Sequence, residues 1–292
     1  MQLEKIITLA NATVRLRFLA MERSLRAVGC NLPLLVIPYD EKTFDLPNNC
    51  EWWSIPEMDC WLAKWKSHPT MRKYQCLTVS NFQFVDSDVI FLRNPQSVLT
   101  SVDGFVTSCG HWHNPNETVT AKSLEYLKNF STTWQKSVFN TGQWACSERL
   151  FGIQELKSRA ESPDFSSTCL TFPYHEQPGV NLLVASTSIP VHNLTLPPHN
   201  MQSTWAGDYI DADFERFWVD EESKPYIIHW AGTPMWTSRS IDNLFLDYLT
   251  PNERTQWALE VEKHRRRAIT KKRSWRAAVR RLRDAIKLAL NV

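Results

Sequence analysis

Near its start the chain alternates short apolar runs with a stretch of helical spacing. Lys5–Leu9 (Lys-Ile-Ile-Thr-Leu) predicts a strand. Val14–Val28 carries Leu16, Leu19, Ala20 and Ala27 on a helical period and stops at Gly29. Leu32–Tyr39 is almost wholly apolar, as expected of a strand covered on both faces. This β–α–β opening predicts a parallel sheet with flanking helices. Further along, Trp61–Lys73 predicts a helix, Cys76–Leu92 a long strand and Val102–Ser108 another. Glu117–Phe130 predicts a helix, Ser137–Gly142 a short strand running into a turn, and Cys146–Ser158 a helix. Glu176–Ser186 starts like a helix with an acid in its first turn, where the helix dipole favours negative charge. Pro197–Asp213 is polar and loop-like, and Pro225–Trp230 predicts a last strand.

Within the long strand, Phe82–Leu92 is the most apolar stretch of the middle of the chain, yet it holds Asp86 and Asp88. Burying a bare carboxylate is costly unless something positive pairs with it. Two residues apart on extended backbone, both acids project to one side, which makes half a site for a hard divalent cation. Strand-end acids facing water are the plainer explanation of Asp-x-Asp alone. The flanking apolar runs, however, place the pair at the carboxyl edge of a sheet, where open α/β sheets bind ligands. His229 ends a second apolar run, Tyr226-Ile-Ile, and is the candidate third ligand. Two carboxylates and one imidazole suit Mn²⁺ or Mg²⁺.

Several stretches in this order resemble glycosyltransferases of the GT-A fold, closest to the retaining, UDP-sugar-dependent group that includes glycogenin and bacterial galactosyltransferases. Thr8-Leu9-Ala10-Asn11 occupies the place of the family's uridine-contacting segment. Val85-Asp86-Ser87-Asp88-Val89 resembles its Asp-x-Asp strand, and Phe139-Asn140-Thr141-Gly142 its Phe-Asn-(Ser/Ala)-Gly turn. Glu176-Gln177-Pro178-Gly179-Val180-Asn181 resembles its Asp-Gln-Asp-x-Leu-Asn helix start. His229-Trp230-Ala231-Gly232, followed by Pro234 and Trp236, resembles its His-x-x-Gly-x-x-Lys-Pro-Trp ending.

The resemblance implies a GT-A, Rossmann-like domain over 1–250 with a mostly parallel central sheet, and metal held by Asp86, Asp88 and His229. It implies nucleotide contacts from Thr8, Ala10, Asn11, Ser87 and Gly232, and donor-sugar contacts from Asn140 and Gly142. It places Glu176 and Gln177 at the anomeric carbon. The expected activity is transfer of a sugar from a nucleotide donor, UDP-linked by resemblance, to a glycan or lipid-linked glycan. Retention of configuration is implied, but Glu176 stands where the family has Asp, so inversion stays open, with Glu176 or an acid near Asp208 as base. The family's last-motif Lys is absent, with Met235 near its place. Lys73, on the donor-sugar side, Arg72 and Arg239 are the candidates to replace it on the diphosphate.

Composition changes the picture at one end only. In 292 residues there are 13 Trp, 14 Phe and 7 Tyr, enough for a thick core and for sugar-stacking faces at Trp112, Trp134, Trp144, Trp205, Trp230 or Trp236. The seven Cys form no Cys-x-x-Cys, so reduced thiols and a cytoplasmic location are expected. Neither a signal-peptide pattern nor a bilayer-length apolar run occurs. From 253 to 292 there are 13 Lys/Arg against 4 Asp/Glu, leaving 20 against 27 in the body. Residues 251–292 therefore read as a basic helical tail. Trp275, Val279, Leu282, Ile286 and Leu290 form one stripe, and Arg276, Arg280, Arg283 and Lys287 another. Such a helix either packs on the domain or lies on an anionic membrane surface, which would make the protein peripheral at an inner membrane face. Nucleic acid is not expected. A metal-dependent nucleotidyltransferase is the rival enzyme, disfavoured because 9–17 lack the glycine-rich basic loop it needs. A non-catalytic protein binding membrane or nucleic acid through the tail is the rival outside enzymes.

Overall fold

The computed structural model describes residues 1–171, 175–218, 220–235, 239–267 and 270. By its contacts the chain divides into two units, Met1–Tyr248 and Leu249–Val292. The second is helical over 251–267. The stripes expected over 274–290 lie outside the described residues, as does Trp236. No helix among the described residues is long and apolar enough to cross a membrane.

Among the described residues the first unit holds nine strands: β1 (Lys5–Ala10), β2 (Leu34–Pro38), β3 (Cys50–Trp52), β4 (Phe82–Val85), β5 (Val89–Phe91), β6 (Phe105–Thr107), β7 (Gln143–Cys146), β8 (Val191–Asn193) and β9 (Ile227–His229). Its helices are α1 (Arg15–Ala27), α2 (Pro56–Lys64), α3 (Pro95–Leu99), α4 (Ala121–Phe130), α5 (Ile153–Glu161), α6 (Ser166–Cys169), α7 (Glu176–Ala185) and α8 (Asn243–Leu246). Seven strands form one sheet in the order β3-β2-β1-β4-β7-β6-β8, while β5 and β9 pair antiparallel in a small second sheet. Within the large sheet only β7 runs against its neighbours. This is the mostly parallel α/β arrangement expected from the sequence.

Alternation along the strands splits the core between the two faces. Ile7, Leu9, Phe82, Phe84, Trp144 and Cys146 join one apolar cluster, and Ile6, Ala10, Val85 and Ala145 join the other. Both faces are covered, which is why the central strands read as continuous apolar runs. Trp144 lies inside, stacked on Phe105 with ring centroids 5.2 Å apart. Trp134 and Trp230 are also buried, Trp230 donating its indole N–H to Asp242 Oδ1 at 2.8 Å. These three indoles belong to the core.

Four predicted elements differ from the structure. The strand expected over Cys76–Leu92 is two strands joined by a turn at the acids, and Cys76–Thr78 belongs to a 3₁₀ stretch, Pro69–Thr78. The helix expected over Trp61–Lys73 is α2, which starts at Pro56 and ends at Lys64; proline at its first position fixes that start. Ser137–Gly142 is not a strand, since the strand begins one residue later as β7. Cys146 ends β7, so the helix expected from that point begins only at Ile153, after Gly152. Pro69 and Gly152 mark two of these breaks in the sequence, and the other two fall inside runs that carry no such mark.

Candidate active site

The acids sit where β4 ends. The turn at Asp86–Asp88 joins β4 to β5 and so changes sheets. Because β7 is antiparallel to β4, with Val85 opposite Gln143, the start of β7 meets the exit of β4. The Asp86 N–H accordingly donates to the Gly142 carbonyl at 2.7 Å. On the other side β5 pairs with β9, and Val89 lies opposite His229. The Trp230 N–H donates to the Asp88 carbonyl at 3.1 Å and locks that register.

His229 Nε2 thereby lies 3.3 Å from Asp88 Oδ1 and 3.9 Å from Asp86 Oδ2. One ligand atom from each of the three residues falls within 4.8 Å of the others. Gly142 makes room for this. A Cβ there would stand 1.9 Å from His229 Cε1 and 2.8 Å from Asp86 Oδ2. Two carboxylate oxygens and one imidazole nitrogen converging over a glycine fit a six-coordinate Mn²⁺ or Mg²⁺ with positions left for other oxygen donors. Burial favours the neutral form of Asp88, but the hydrogen bond with His229 and the positive charge of Arg17 act against it. They hold the carboxyl at about 2, whereas burial, with the Asp88 charge beside it, raises that of Asp86.

Beside this trio lies a buried ion pair. Lys73 Nζ is 2.9 Å from Asp86 Oδ1 and 2.6 Å from Glu176 Oε1, and it also donates to the Thr141 carbonyl at 3.3 Å. Its three protons thus have three protein acceptors. Burial acts to lower the Lys73 pKa, but the carboxylates of Asp86 and Glu176 more than reverse this and raise it. Glu176 also accepts from Thr141 Oγ1 at 2.8 Å. Burial acts to raise the Glu176 pKa, and the Lys73 charge and these hydrogen bonds bring it below the usual glutamate value. Asn181 ties α7 to the turn before β7, donating to the carbonyls of Phe139 and Gln177 and accepting from the Phe139 N–H. Gln177 Oε1 accepts from the Thr141 N–H at 3.3 Å.

Asp86, Ser87, Asp88, His229, Lys73, Asn140, Gly142, Glu176, Gln177, Gly232 and Ala10 all line one cleft of about 610 Å³. Thr8 is fully buried within β1 and is not on its wall. Asn11, next to Ala10, is held by the chain itself: its amide donates to Asp40 Oδ2 at 2.7 Å and its oxygen accepts from the Thr13 N–H. Arg72 pairs with Asp59, and Arg239 pairs with Asp242 at 2.9 Å; neither lines the cleft. Arg17, Tyr39, Thr70 and His175 line it and were not picked out from the sequence. The fold brings Arg17, Tyr39 and Thr70 there from segments without a chemical motif of their own, whereas His175 directly precedes the Glu176-Gln177 motif.

A second pocket of about 680 Å³ shares Asn140, Gln177, Ala231 and Gly232 with the first. Trp112, Ser203, Trp205 and Asp208 are among its other walls. Trp205 is 40% exposed, yet its indole N–H donates to the Ala231 carbonyl at 2.8 Å. Its ring folds over Gly207, where a Cβ would stand 2.4 Å away.

No family model matches the sequence, and no curated protein matches it. Solved structures do. LgtC, a galactosyltransferase in complex with donor and acceptor sugar analogs, superposes with a TM-score of 0.53 at 13% identity, over 86% of this chain and 99% of that one. The bifunctional glycosyltransferase WbbM superposes with a TM-score of 0.56 at 13% identity, over 90% of this chain and 51% of its own. The chain has the GT-A glycosyltransferase fold. An active-site mutant of LgtC matches likewise, with a TM-score of 0.52 at 13% identity, over 85% of this chain and 98% of that one. The carboxyl ends of β1 and β4, and with them the Asp-Asp-His trio, line the cleft, at the sheet edge where open α/β sheets bind ligands.

Proposed function

We propose that the protein is a metal-dependent glycosyltransferase that takes a sugar from a nucleoside-diphosphate donor, UDP-linked, and passes it to a hydroxyl of a glycan. The observation that carries this is the trio of Asp86, Asp88 and His229 in a cleft that shares Asn140, Gln177, Ala231 and Gly232 with a second pocket. Two pockets with a common edge suit two substrates that must touch. The similar LgtC structure is a complex with donor and acceptor sugar analogs, which supports the same assignment here.

In this reading Asp86, Asp88 and His229 hold Mn²⁺ or Mg²⁺. When bound, the ion supplies Lewis-acid neutralisation of charge gathering on the departing diphosphate. Ala10, Ser87 and Gly232 face the nucleotide, with Asn11 shaping the turn behind Ala10. Asn140 and Gly142 flank the donor sugar, Gly142 allowing close approach. Glu176 and Gln177 lie at the reacting carbon. Glu176 is ion-paired to Lys73 with a depressed pKa, so it is better suited to stabilising positive charge on the sugar than to taking a proton. The acceptor glycan occupies the second pocket, with Trp205 as a stacking face and Asp208 beside its hydroxyls.

The test is a panel of nucleotide sugars with Mn²⁺, scored by slow hydrolysis without acceptor. Release of nucleoside diphosphate from one sugar, lost on removing the metal with a chelator, supports the proposal. Silence across the panel, together with no nucleotide-induced thermal shift, rejects it. The anomer formed on a later-found acceptor, read by NMR, settles retention against inversion.

A further inference from the structure

Once its sugar has left, the nucleoside diphosphate carries more negative charge than one divalent ion offsets, so a further cation at the site favours its departure. The sequence lacks the lysine that the GT-A resemblance leads one to expect in its last motif, and Met235 near that place is buried. The three cations that the sequence offers instead are engaged elsewhere. Arg72 is held by Asp59 and the Pro38 carbonyl, and Arg239 by Asp242 and the Ala206 carbonyl. Lys73 does reach the cleft, but its ammonium is enclosed by Asp86, Glu176 and the Thr141 carbonyl. It cross-links the site and has no proton left for a phosphate.

Arg17 is different in place. It sits in the first turn of α1, the helix that follows β1, and its side chain is partly exposed on the cleft wall. Val14, three residues earlier at the N-cap, lines the same wall and offers no side-chain cap. The positive end of α1 therefore lies at the cleft as well, adding to the guanidinium charge. A guanidinium is planar and matches two phosphate oxygens at once, which a compact ammonium does not.

We propose that Arg17 binds the diphosphate of the donor and replaces the missing last-motif lysine. The inference rests on the glycosyltransferase reading above. It assigns Arg17 to the phosphates and not to the metal, so its removal has opposite effects on the two. Without Arg17 the trio loses a neighbouring positive charge and binds a bare cation as well as before or better. The diphosphate loses a charge-assisted partner and binds worse.

The experiment compares wild type with Arg17→Gln and Arg17→Lys. Mn²⁺ alone is titrated by EPR. UDP and inorganic pyrophosphate are titrated by calorimetry in saturating Mn²⁺, and uridine is followed by NMR. For Arg17→Gln the expected result is unchanged or tighter Mn²⁺, unchanged uridine, and UDP and pyrophosphate weakened roughly tenfold to a hundredfold. Arg17→Lys is expected to fall between. UDP and pyrophosphate affinities within twofold of wild type overturn the assignment. So does a parallel loss of Mn²⁺ and uridine, which would mark Arg17 as merely structural. If the wild type itself binds neither Mn²⁺ nor UDP, the glycosyltransferase reading falls first and this inference with it.

Discussion

Gly142 and Glu176 show how single positions set the chemistry. At Gly142 even one methyl group would overlap His229, so Gly142→Ala is expected to displace the imidazole while leaving β7 in place. Mn²⁺ affinity, read by EPR, should fall at least about tenfold, because one of three protein ligands is misdirected. Affinity equal to wild type would take His229 out of the ligand set. Glu176 gives a pH signature. Its folded pKa lies below its ordinary value of 4.5, so it stabilises the fold above that pH and the contribution is lost as pH falls through the folded pKa. Wild type should unfold at higher temperature than Glu176→Gln at pH 7, by an amount corresponding to about 3 kcal/mol for breaking a buried pair. The gap should hold down to pH 4.5 and close in more acid solution. A gap that widens on acidification would contradict the ion pair. Asp86 and Asp88 could be found in the sequence because acids stand out in an apolar run. Arg17 could not, because a lone arginine in an amphipathic helix looks like any solvated charge.

At the level of elements, the small β5–β9 sheet carries the site. It is what turns an Asp-x-Asp turn and a distant histidine into neighbours, through the pairing of Val89 with His229. Ile228, fully buried opposite Ile90, anchors it. Ile228→Ala is expected to cost about 2–5 kcal/mol by denaturant unfolding and to weaken Mn²⁺ binding with it. Retained Mn²⁺ affinity would show that the pairing does not position the imidazole. The sequence revealed the order β–α–β at the start and the helix at Glu176, since those segments have clean periods and marked ends. It concealed the break at Asp86–Asp88 because strands of four and three residues on either side read as one apolar run. It also concealed that β9 pairs with β5 and not with the central sheet, for strand neighbours are decided by tertiary packing.

At the scale of the molecule, charge and chemistry separate. All the site residues lie in the unit Met1–Tyr248, whereas the basic excess lies in 253–292. From the sequence, a basic helix packed on the domain and one lying on an anionic membrane are the two alternatives for that excess. The membrane alternative predicts that full-length protein floats with phosphatidylserine vesicles at low salt and is released at about 1 M salt, where screening is nearly complete. No flotation at low salt would remove the membrane from the account. The central claim, however, concerns the Asp-Asp-His trio. Its most direct test is a crystal of the protein grown with Mn²⁺ and UDP, with anomalous scattering recorded at the manganese edge. One strong peak is predicted between the carboxylates of Asp86 and Asp88 and Nε2 of His229, in contact with the diphosphate. A nucleotide bound in the cleft with no metal at the trio, or a metal peak held by other residues, would contradict it.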